Sequence, residues 1–158
     1  MTYKKFLGSI TNKLPFAIPL EHWESELNSK LYQLLTAEKI EFSNLTPSKI
    51  VESGGVYIIT DSRNPLNEIP FYIGRTKNLR QRIYTNHLMG GLGNARLKKY
   101  LVNDPVLINI TDKYTAKSFI RENCSVRWIT EEDFKQRGYF EGYFTGMLKP
   151  QFGVYEEH

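Results

Sequence analysis

Two tyrosines and one arginine are the residues of this chain whose types and spacing best suit chemistry. Tyr57 and Tyr72 each lie within a short run of β-branched and aromatic residues, and turn-forming residues separate the two runs. Such runs predict paired antiparallel strands, which can bring both phenols to one face of a sheet. Arg82 follows in a basic helix, where its guanidinium could bind a phosphate oxygen and offset charge in a transition state. The alternative is that the tyrosines are ordinary amphipathic aromatics at a sheet surface.

Basic residues are concentrated around this stretch. No aspartate or glutamate occurs from Phe71 to Tyr100, although the formal net charge of the whole chain is only +4. A one-sided basic block is typical of a surface that binds a polyanion, while a solvated helix face is the alternative. The residues that we predict to contact a nucleic-acid backbone are Arg75, Lys77, Arg80, Arg96, Lys98 and Lys99.

Glu141 is the most informative acidic residue. It lies in an aromatic, helix-forming segment in which Gly138, Gly142 and Gly146 recur at a four-residue spacing. Because glycine is unfavourable inside a helix, this stripe predicts the close approach of another backbone or of a substrate. A lone carboxylate in such a place can hold Mg²⁺, which takes one or two carboxylates and keeps several waters. A surface glutamate on an amphipathic helix is the alternative.

His87 is a weaker candidate for a functional role. It follows Arg82 by five positions and could contact a phosphate or pass protons, but a histidine at a helix end often does neither. The three histidines have no metal-ligand spacing, and Cys124 is the single cysteine. The sequence therefore predicts neither a zinc cage nor a disulfide framework.

The overall composition is that of an ordinary globular protein, with 41% hydrophobic residues in a chain of 158. No apolar run approaches the roughly 18 residues that span a membrane. The amino-terminal stretch has neither a sustained apolar region nor a small-residue cleavage site, so we expect no signal peptide. We therefore expect one domain with an extension, located in the cytoplasm and without membrane contact.

Hydrophobic periodicity predicts short strands, two of them paired as an antiparallel hairpin, together with several helices. Residues 1–52 are predicted as a helical N-terminal extension, with an irregular segment over 1–19 and an amphipathic helix over 20–37. Residues 53–158 form the predicted main domain. Its predicted strands are 55–60, 69–74, 106–110 and 125–129, and its predicted helices are 78–87, 94–102, 115–122 and 130–148, the last opened by a capping box at 130–133.

The chain resembles the GIY-YIG nuclease superfamily in four separate elements, which span about residues 54–153. These elements are Gly55-Val56-Tyr57, Tyr72-Ile73-Gly74, the basic stretch that ends at Arg82, and Glu141 ahead of Lys149-Pro150. The resemblance implies an α/β (α+β) fold, with a small, mainly antiparallel central sheet flanked by helices. It also implies a metal-dependent endonuclease that hydrolyses DNA phosphodiester bonds with one Mg²⁺ or Mn²⁺. DNA repair and restriction are the kinds of process in which such an enzyme would act.

The resemblance also implies a role for each matching residue. Glu141 would hold the metal, and Tyr57 would orient or deprotonate the attacking water. Tyr72 would support the site or contact the scissile phosphate, and Arg82 would stabilise the pentavalent phosphate. His87 is a candidate for catalytic support. The products expected by analogy carry a 5′-phosphate and a 3′-hydroxyl.

Two positions depart from the pattern of the family. The family often has a histidine four residues after the arginine, but this position is Asn86. His87 lies one residue further, and one residue turns an α-helical side chain by about 100°. The family also often has an asparagine at the position of Gly153. These departures keep open the alternative of a catalytically weak or inactive nucleic-acid-binding module. A further alternative is a structure-selective nuclease that is active only in a complex, and the N-terminal helix could form the contact in a homodimer or in such a larger complex.

Overall fold

The computed structural model describes residues 20–153, so the segment predicted over 1–19 lies outside it. The strands are β1 (Ile40–Glu41), β2 (Gly55–Asp61), β3 (Ile69–Thr76) and β4 (Cys124–Thr130). The helices are α1 (Leu20–Thr36), a π-helix (Gln81–Leu88), α2 (Arg96–Asn103), α3 (Lys113–Asn123) and α4 (Phe134–Leu148), besides two short 3₁₀ helices, Phe42–Asn44 and Pro47–Lys49. The strands form one sheet in the order β1–β4–β2–β3, in which every neighbouring pair is antiparallel. The predicted fold class is thus confirmed.

Strand β2 is the centre of the fold, and every one of its residues is buried. It pairs with β3 on one side and with β4 on the other, and helices cover both faces of the sheet. Successive side chains of a strand point to opposite faces. Tyr57 and Ile59 consequently join one hydrophobic cluster, whereas Val56 and Ile58 join a second cluster on the other face.

The two faces of the sheet are covered by different helices. The π-helix, α2 and α3 pack on the face of Tyr57 through apolar residues such as Ile83, Leu97 and Ile120. Helices α1 and α4 cover the opposite face, where Leu34 and Phe140 are completely buried. The site described below forms where the first of these layers meets the edge of the second.

Helix α1 confirms the amphipathic helix predicted over 20–37. Its residue Leu34 lies in the core, and Leu31 packs at the border of the same cluster. Asn28 accepts a hydrogen bond from the hydroxyl of Tyr143 on α4. The helix therefore packs on the sheet of its own chain, and nothing among residues 20–153 supports the alternative of a homodimer formed through it.

The boundary between an extension at 1–52 and a main domain at 53–158 stays a prediction. No described helix is long and apolar enough to cross a membrane.

The predicted strand at 106–110 is wrong. This segment is a loop, and the side chains of Val106 and Ile108 are 82% and 77% exposed. Asp104 organises the loop, because its Oδ1 atom accepts hydrogen bonds from the backbone N–H groups of Val106 at 2.8 Å and Leu107 at 3.2 Å. These local bonds offer the backbone an alternative to a strand ladder.

The helix caps differ from the prediction at two places. Helix α3 begins earlier than predicted because Asp112 caps it in a reciprocal capping box with Thr115. Helix α4 is capped by Asp133, whose side chain accepts from two backbone N–H groups of the first turn. Thr130, the predicted cap, is instead the last residue of β4, because strand pairing with Gly55 continues that far.

Candidate active site

The two predicted tyrosines share one face of the central hairpin. Tyr57 on β2 pairs with Gly74 on β3, and Tyr72 pairs with Ile59, so the phenols are diagonal neighbours. Their ring centroids are 6.2 Å apart with planes inclined by 28°. Diagonal neighbours on paired strands are within reach of each other when the side chains are aromatic. The common face that strand alternation predicted is therefore present.

The glycine of each tyrosine motif makes room for a close contact. A Cβ atom at Gly74 would collide with the hydroxyl group of Tyr57. A Cβ atom at Gly55 would collide with the carbonyl oxygen of Ile129 on β4 and with the side chain of Leu79. Gly74 therefore leaves space for the Tyr57 hydroxyl, and Gly55 lets β2 pack closely against β4 and Leu79.

The helix that follows β3 was predicted as an α-helix and is a π-helix over Gln81–Leu88. It ends with a hydrogen bond from the N–H of Met89 to the carbonyl of Tyr84, five residues earlier, at 3.0 Å. In a π-helix these bonds link residues five apart, so Arg82 and His87 lie one turn apart. His87 lies five residues after Arg82, where the family often has a histidine four residues after the arginine. In an α-helix this extra residue would turn the side chain away, but in the π-helix it leaves His87 on the side of Arg82.

His87 lies directly behind Tyr57. Its Nε2 atom is 2.6 Å from the Tyr57 hydroxyl oxygen, and its ring contacts Tyr57 and Tyr72 edge-on. Its side chain is completely buried. Burial, together with the nearby charges of Arg82 and Lys98, lowers the pKa of His87 to about 3. The imidazole is therefore neutral near pH 7 and can accept the hydroxyl proton of Tyr57 in this hydrogen bond.

Tyr57 itself is a neutral phenol. Burial is the largest cause that raises its pKa above the ordinary value, and Tyr72 raises it further, against the opposing effect of Arg82. With the Tyr57 proton shared with Nε2, the ring proton of His87 belongs on Nδ1, which has no hydrogen-bond partner among the described residues.

Arg82 reaches the tyrosines as predicted. Its Nε atom donates to the Tyr57 hydroxyl oxygen at 3.3 Å, and its Nη1 atom donates to the carbonyl of Asn94 at 3.3 Å. The side chain is half-buried. The guanidinium therefore lies over the Tyr57 hydroxyl and is tethered to the loop that precedes α2.

Glu141 joins these residues from helix α4. A pocket of about 480 Å³ is lined by Tyr57, Tyr72, Arg82 and Glu141. The Glu141 Oε2 atom pairs with Nε of Arg75 at 3.1 Å. Burial raises the pKa of the Glu141 carboxyl, and the positive charge of Arg75 opposes that rise. The four residues predicted to be catalytic thus converge on one concave surface.

Comparison with protein families agrees with this geometry. The family model described as the GIY-YIG catalytic domain matches residues 53–137. The chain belongs to the GIY-YIG family. A search of curated proteins and a search of solved structures each found no match. The match ends before Glu141, which lines the pocket together with the matched residues Tyr57, Tyr72 and Arg82.

The side chains that could bind a metal ion in this pocket are few. Residues 20–153 contain no group of three or more histidine, cysteine or acidic side chains that could hold an ion. Glu141 is a single, partly buried carboxylate in a polar pocket. This set fits Mg²⁺, which binds through one or two carboxylates and completes its shell with waters and substrate phosphates. It does not fit an ion that requires a protein cage, such as structural zinc.

Four of the six basic residues predicted to contact nucleic acid are exposed. Arg75 and Arg96 line the pocket itself, and Lys77 and Lys99 lie outside it. Burial raises the pKa of the Glu141 carboxyl, and the positive charges of Arg75, Arg96 and Arg82 all oppose that rise. The mouth of the GIY-YIG pocket is therefore cationic, which suits a phosphate backbone.

The structure gives the other two basic residues different partners. Lys98 is only 1% exposed, and its ammonium donates to the carbonyls of Leu88 at 2.7 Å and Gly90 at 2.6 Å. The expectation that Lys98 contacts nucleic acid is therefore wrong, because its donors are used to tie the end of the π-helix to α2. Arg80 donates to the carbonyl of Ile50 at 2.9 Å and pairs with Glu52 at 2.8 Å, so it anchors the segment before β2.

Two asparagines that line the pocket were not predicted as site residues from the sequence. Asn86 and Asn94 both line it. Asn86 was recognised only as a departure from the family pattern, and its position inside the π-helix could have been found only from the helix geometry. Gly153 lies after α4 and is absent from the residues that line the pocket. Of the three glycines in the predicted stripe, a Cβ atom at Gly138 would collide with the guanidinium of Arg75. A Cβ atom at Gly142 or Gly146 would meet nothing within 4 Å.

Proposed function

We propose that this chain is a divalent-metal-dependent endonuclease that hydrolyses DNA phosphodiester bonds. Its membership in the GIY-YIG family supports a nuclease-type function in general. The observation that carries the finer proposal is the convergence of Tyr57, Tyr72, Arg82 and Glu141 on one polar pocket. A pocket of this kind, with cationic side chains around a single carboxylate, suits a phosphodiester far better than an apolar substrate.

In this proposal Arg82 binds the phosphate and Tyr57 binds the attacking water. The guanidinium of Arg82 binds a phosphate oxygen and stabilises the charge that develops on the pentavalent phosphorus. The hydroxyl of Tyr57 orients the attacking water, and His87 fixes the phenol by accepting its proton in the 2.6 Å hydrogen bond. Tyr57 is buried and lines the wall of the pocket together with Arg82. Tyr72 stacks on Tyr57 and keeps its ring in place.

Glu141 is the residue that would hold Mg²⁺ or Mn²⁺. Such an ion, when bound, supplies Lewis-acid chemistry that lowers the pKa of a water and stabilises a leaving oxygen. The carboxylate lies on helix α4, whose residues Phe140 and Phe144 pack in the core and hold the helix beside the pocket.

Nicking of supercoiled plasmid DNA tests the proposal. The wild-type chain is expected to nick with Mg²⁺ or Mn²⁺ and to stop when EDTA is added. Glu141→Gln keeps the shape of the side chain and removes its charge, so it is expected to abolish nicking. Glu122→Gln makes the same change at an exposed carboxylate of α3 outside the pocket and is expected to retain full activity.

A different result would assign a different function. Salt-sensitive DNA binding without any cleavage by the wild-type chain would overturn the proposal and favour a nucleic-acid-binding module. Cleavage that persists in Glu141→Gln at the wild-type rate would refute the role of this carboxylate. Cutting limited to branched DNA would keep the chemistry and narrow the substrate.

A further inference from the structure

Arg75 stands out because it already partners the carboxylate that the proposed function assigns to a metal. It lies at the end of β3, its side chain is 52% exposed, and its Nε atom is 3.1 Å from Oε2 of Glu141. Arg82 and Arg96 are also near this carboxylate, but no hydrogen bond or ion pair joins either of them to it among the described contacts. Arg75 is therefore the cation in direct contact with Glu141.

Gly138 leaves space on the surface of helix α4 for the Arg75 guanidinium, and we call this space the seat of Arg75. A Cβ atom at Gly138 would collide with Nη1 of Arg75, one helical turn before Glu141. Glycine is unfavourable in a helix interior relative to alanine, so its presence there needs a reason. Gly142 and Gly146 on the same helix would meet nothing within 4 Å. Gly138 thus differs from the other two glycines in that it lets Arg75 lie against the helix and reach the carboxylate.

We propose that Arg75 is a built-in counter-cation of the metal site, seated by Gly138, which occupies Glu141 until a divalent ion displaces it. This inference rests on the proposed function, because it takes Glu141 as the metal ligand. Two cations compete for one carboxylate, since each lowers the energy of the same charge and they repel each other. Displacement frees the guanidinium at the mouth of the pocket, where it can bind a substrate phosphate. Metal loading and phosphate binding are thereby coupled through one side chain.

The affinity of the DNA-free chain for Mn²⁺, measured by electron paramagnetic resonance of the free ion, tests this inference. Arg75→Met removes the competing charge and is expected to tighten Mn²⁺ binding by about three- to tenfold. Gly138→Ala keeps the charge but pushes the guanidinium off its seat, so it is expected to tighten binding by about two- to fivefold. The alanine is tolerated because the atom that it meets is the end of a flexible side chain.

Matched variants separate the inference from the function on which it rests. Gly142→Ala changes the same helix without touching Arg75 and is expected to bind Mn²⁺ as the wild type does. Glu141→Gln gives the Mn²⁺ affinity of a chain that lacks the proposed metal ligand. The double variant Arg75→Met with Gly138→Ala is expected to match Arg75→Met alone, because both changes act on one contact.

Two results would overturn the proposal in different ways. Equal affinity of the wild type, Arg75→Met and Gly138→Ala, with weaker binding by Glu141→Gln, would refute the counter-cation and leave the metal site intact. Mn²⁺ binding that does not depend on Glu141 in any variant would overturn both the counter-cation and the proposed metal ligand.

Discussion

Acid is expected to destabilise this protein through the buried imidazole of His87. The imidazole is completely buried, and its Nε2 atom is hydrogen-bonded to Tyr57. Burial and neighbouring positive charges lower its pKa to about 3 in the folded chain. In the unfolded chain the imidazole returns to a pKa of about 6.5. Below pH 6.5 the unfolded state therefore binds a proton that the folded state excludes.

The size of this effect follows from the two pKa values. Stability rises with pH wherever the unfolded state binds more protons, so the contribution of His87 is complete above about pH 6.5 and is lost as the pH falls toward 3. Between pH 7.5 and pH 5.0 the expected loss in the free energy of unfolding is about 2 kcal/mol. Because the folded-state pKa lies well below 5, this loss is set almost entirely by the unfolded-state pKa.

Urea unfolding at pH 7.5 and pH 5.0 measures the loss. His87→Gln keeps a polar group beside Tyr57 but cannot titrate, so its free energy of unfolding is expected to fall by about 2 kcal/mol less than that of the wild type between the two pH values. His22 and His158 are present in both proteins and cancel in the difference. An equal loss in both proteins would refute the conclusion that His87 is held neutral behind Tyr57.

Two further predictions concern the helices around the site, and each has a neighbouring residue as its control. Leu34→Ala is expected to lower the free energy of unfolding by about 2–5 kcal/mol, because α1 closes the second core, whereas Leu35→Ala at the exposed neighbour should change it by less than about 1 kcal/mol in the same urea titration. Lys98→Met is expected to cost about 1–3 kcal/mol by leaving two carbonyls without a donor. Lys99→Met should instead weaken salt-dependent DNA binding with little change in stability, and the opposite pattern would contradict the buried position of Lys98.

Much of the site could be predicted from the sequence because its parts are local patterns. The alternation of side chains in β2 and β3 is a property of any strand, so the common face of Tyr57 and Tyr72 followed from two short runs and a turn. The arginine on the next helix and the glutamate on a glycine-rich helix were likewise visible as residue types in the required order.

Charge and helix period were less reliable guides. Lys98 and Lys99 are adjacent and identical in type, yet one is buried and the other exposed, because only the packing of α2 decides which face of the helix meets the π-helix. The β-branched run at 106–110 has strand propensity, but the hydrogen bonds of Asp104 hold it as a loop.

By itself, the sequence determined the two tyrosine strands, the helices that follow them and the chemical types that a phosphate site requires. Tertiary structure alone decided that His87 stands behind Tyr57, because a π-helix rather than an α-helix spans the intervening turn and nothing in the residue types marks that choice. It also decided that Arg75 rests on Gly138 and pairs with Glu141, since that contact joins a strand to a helix more than sixty residues away in the chain. Such contacts depend on how the layers pack, and local propensity carries no information about them.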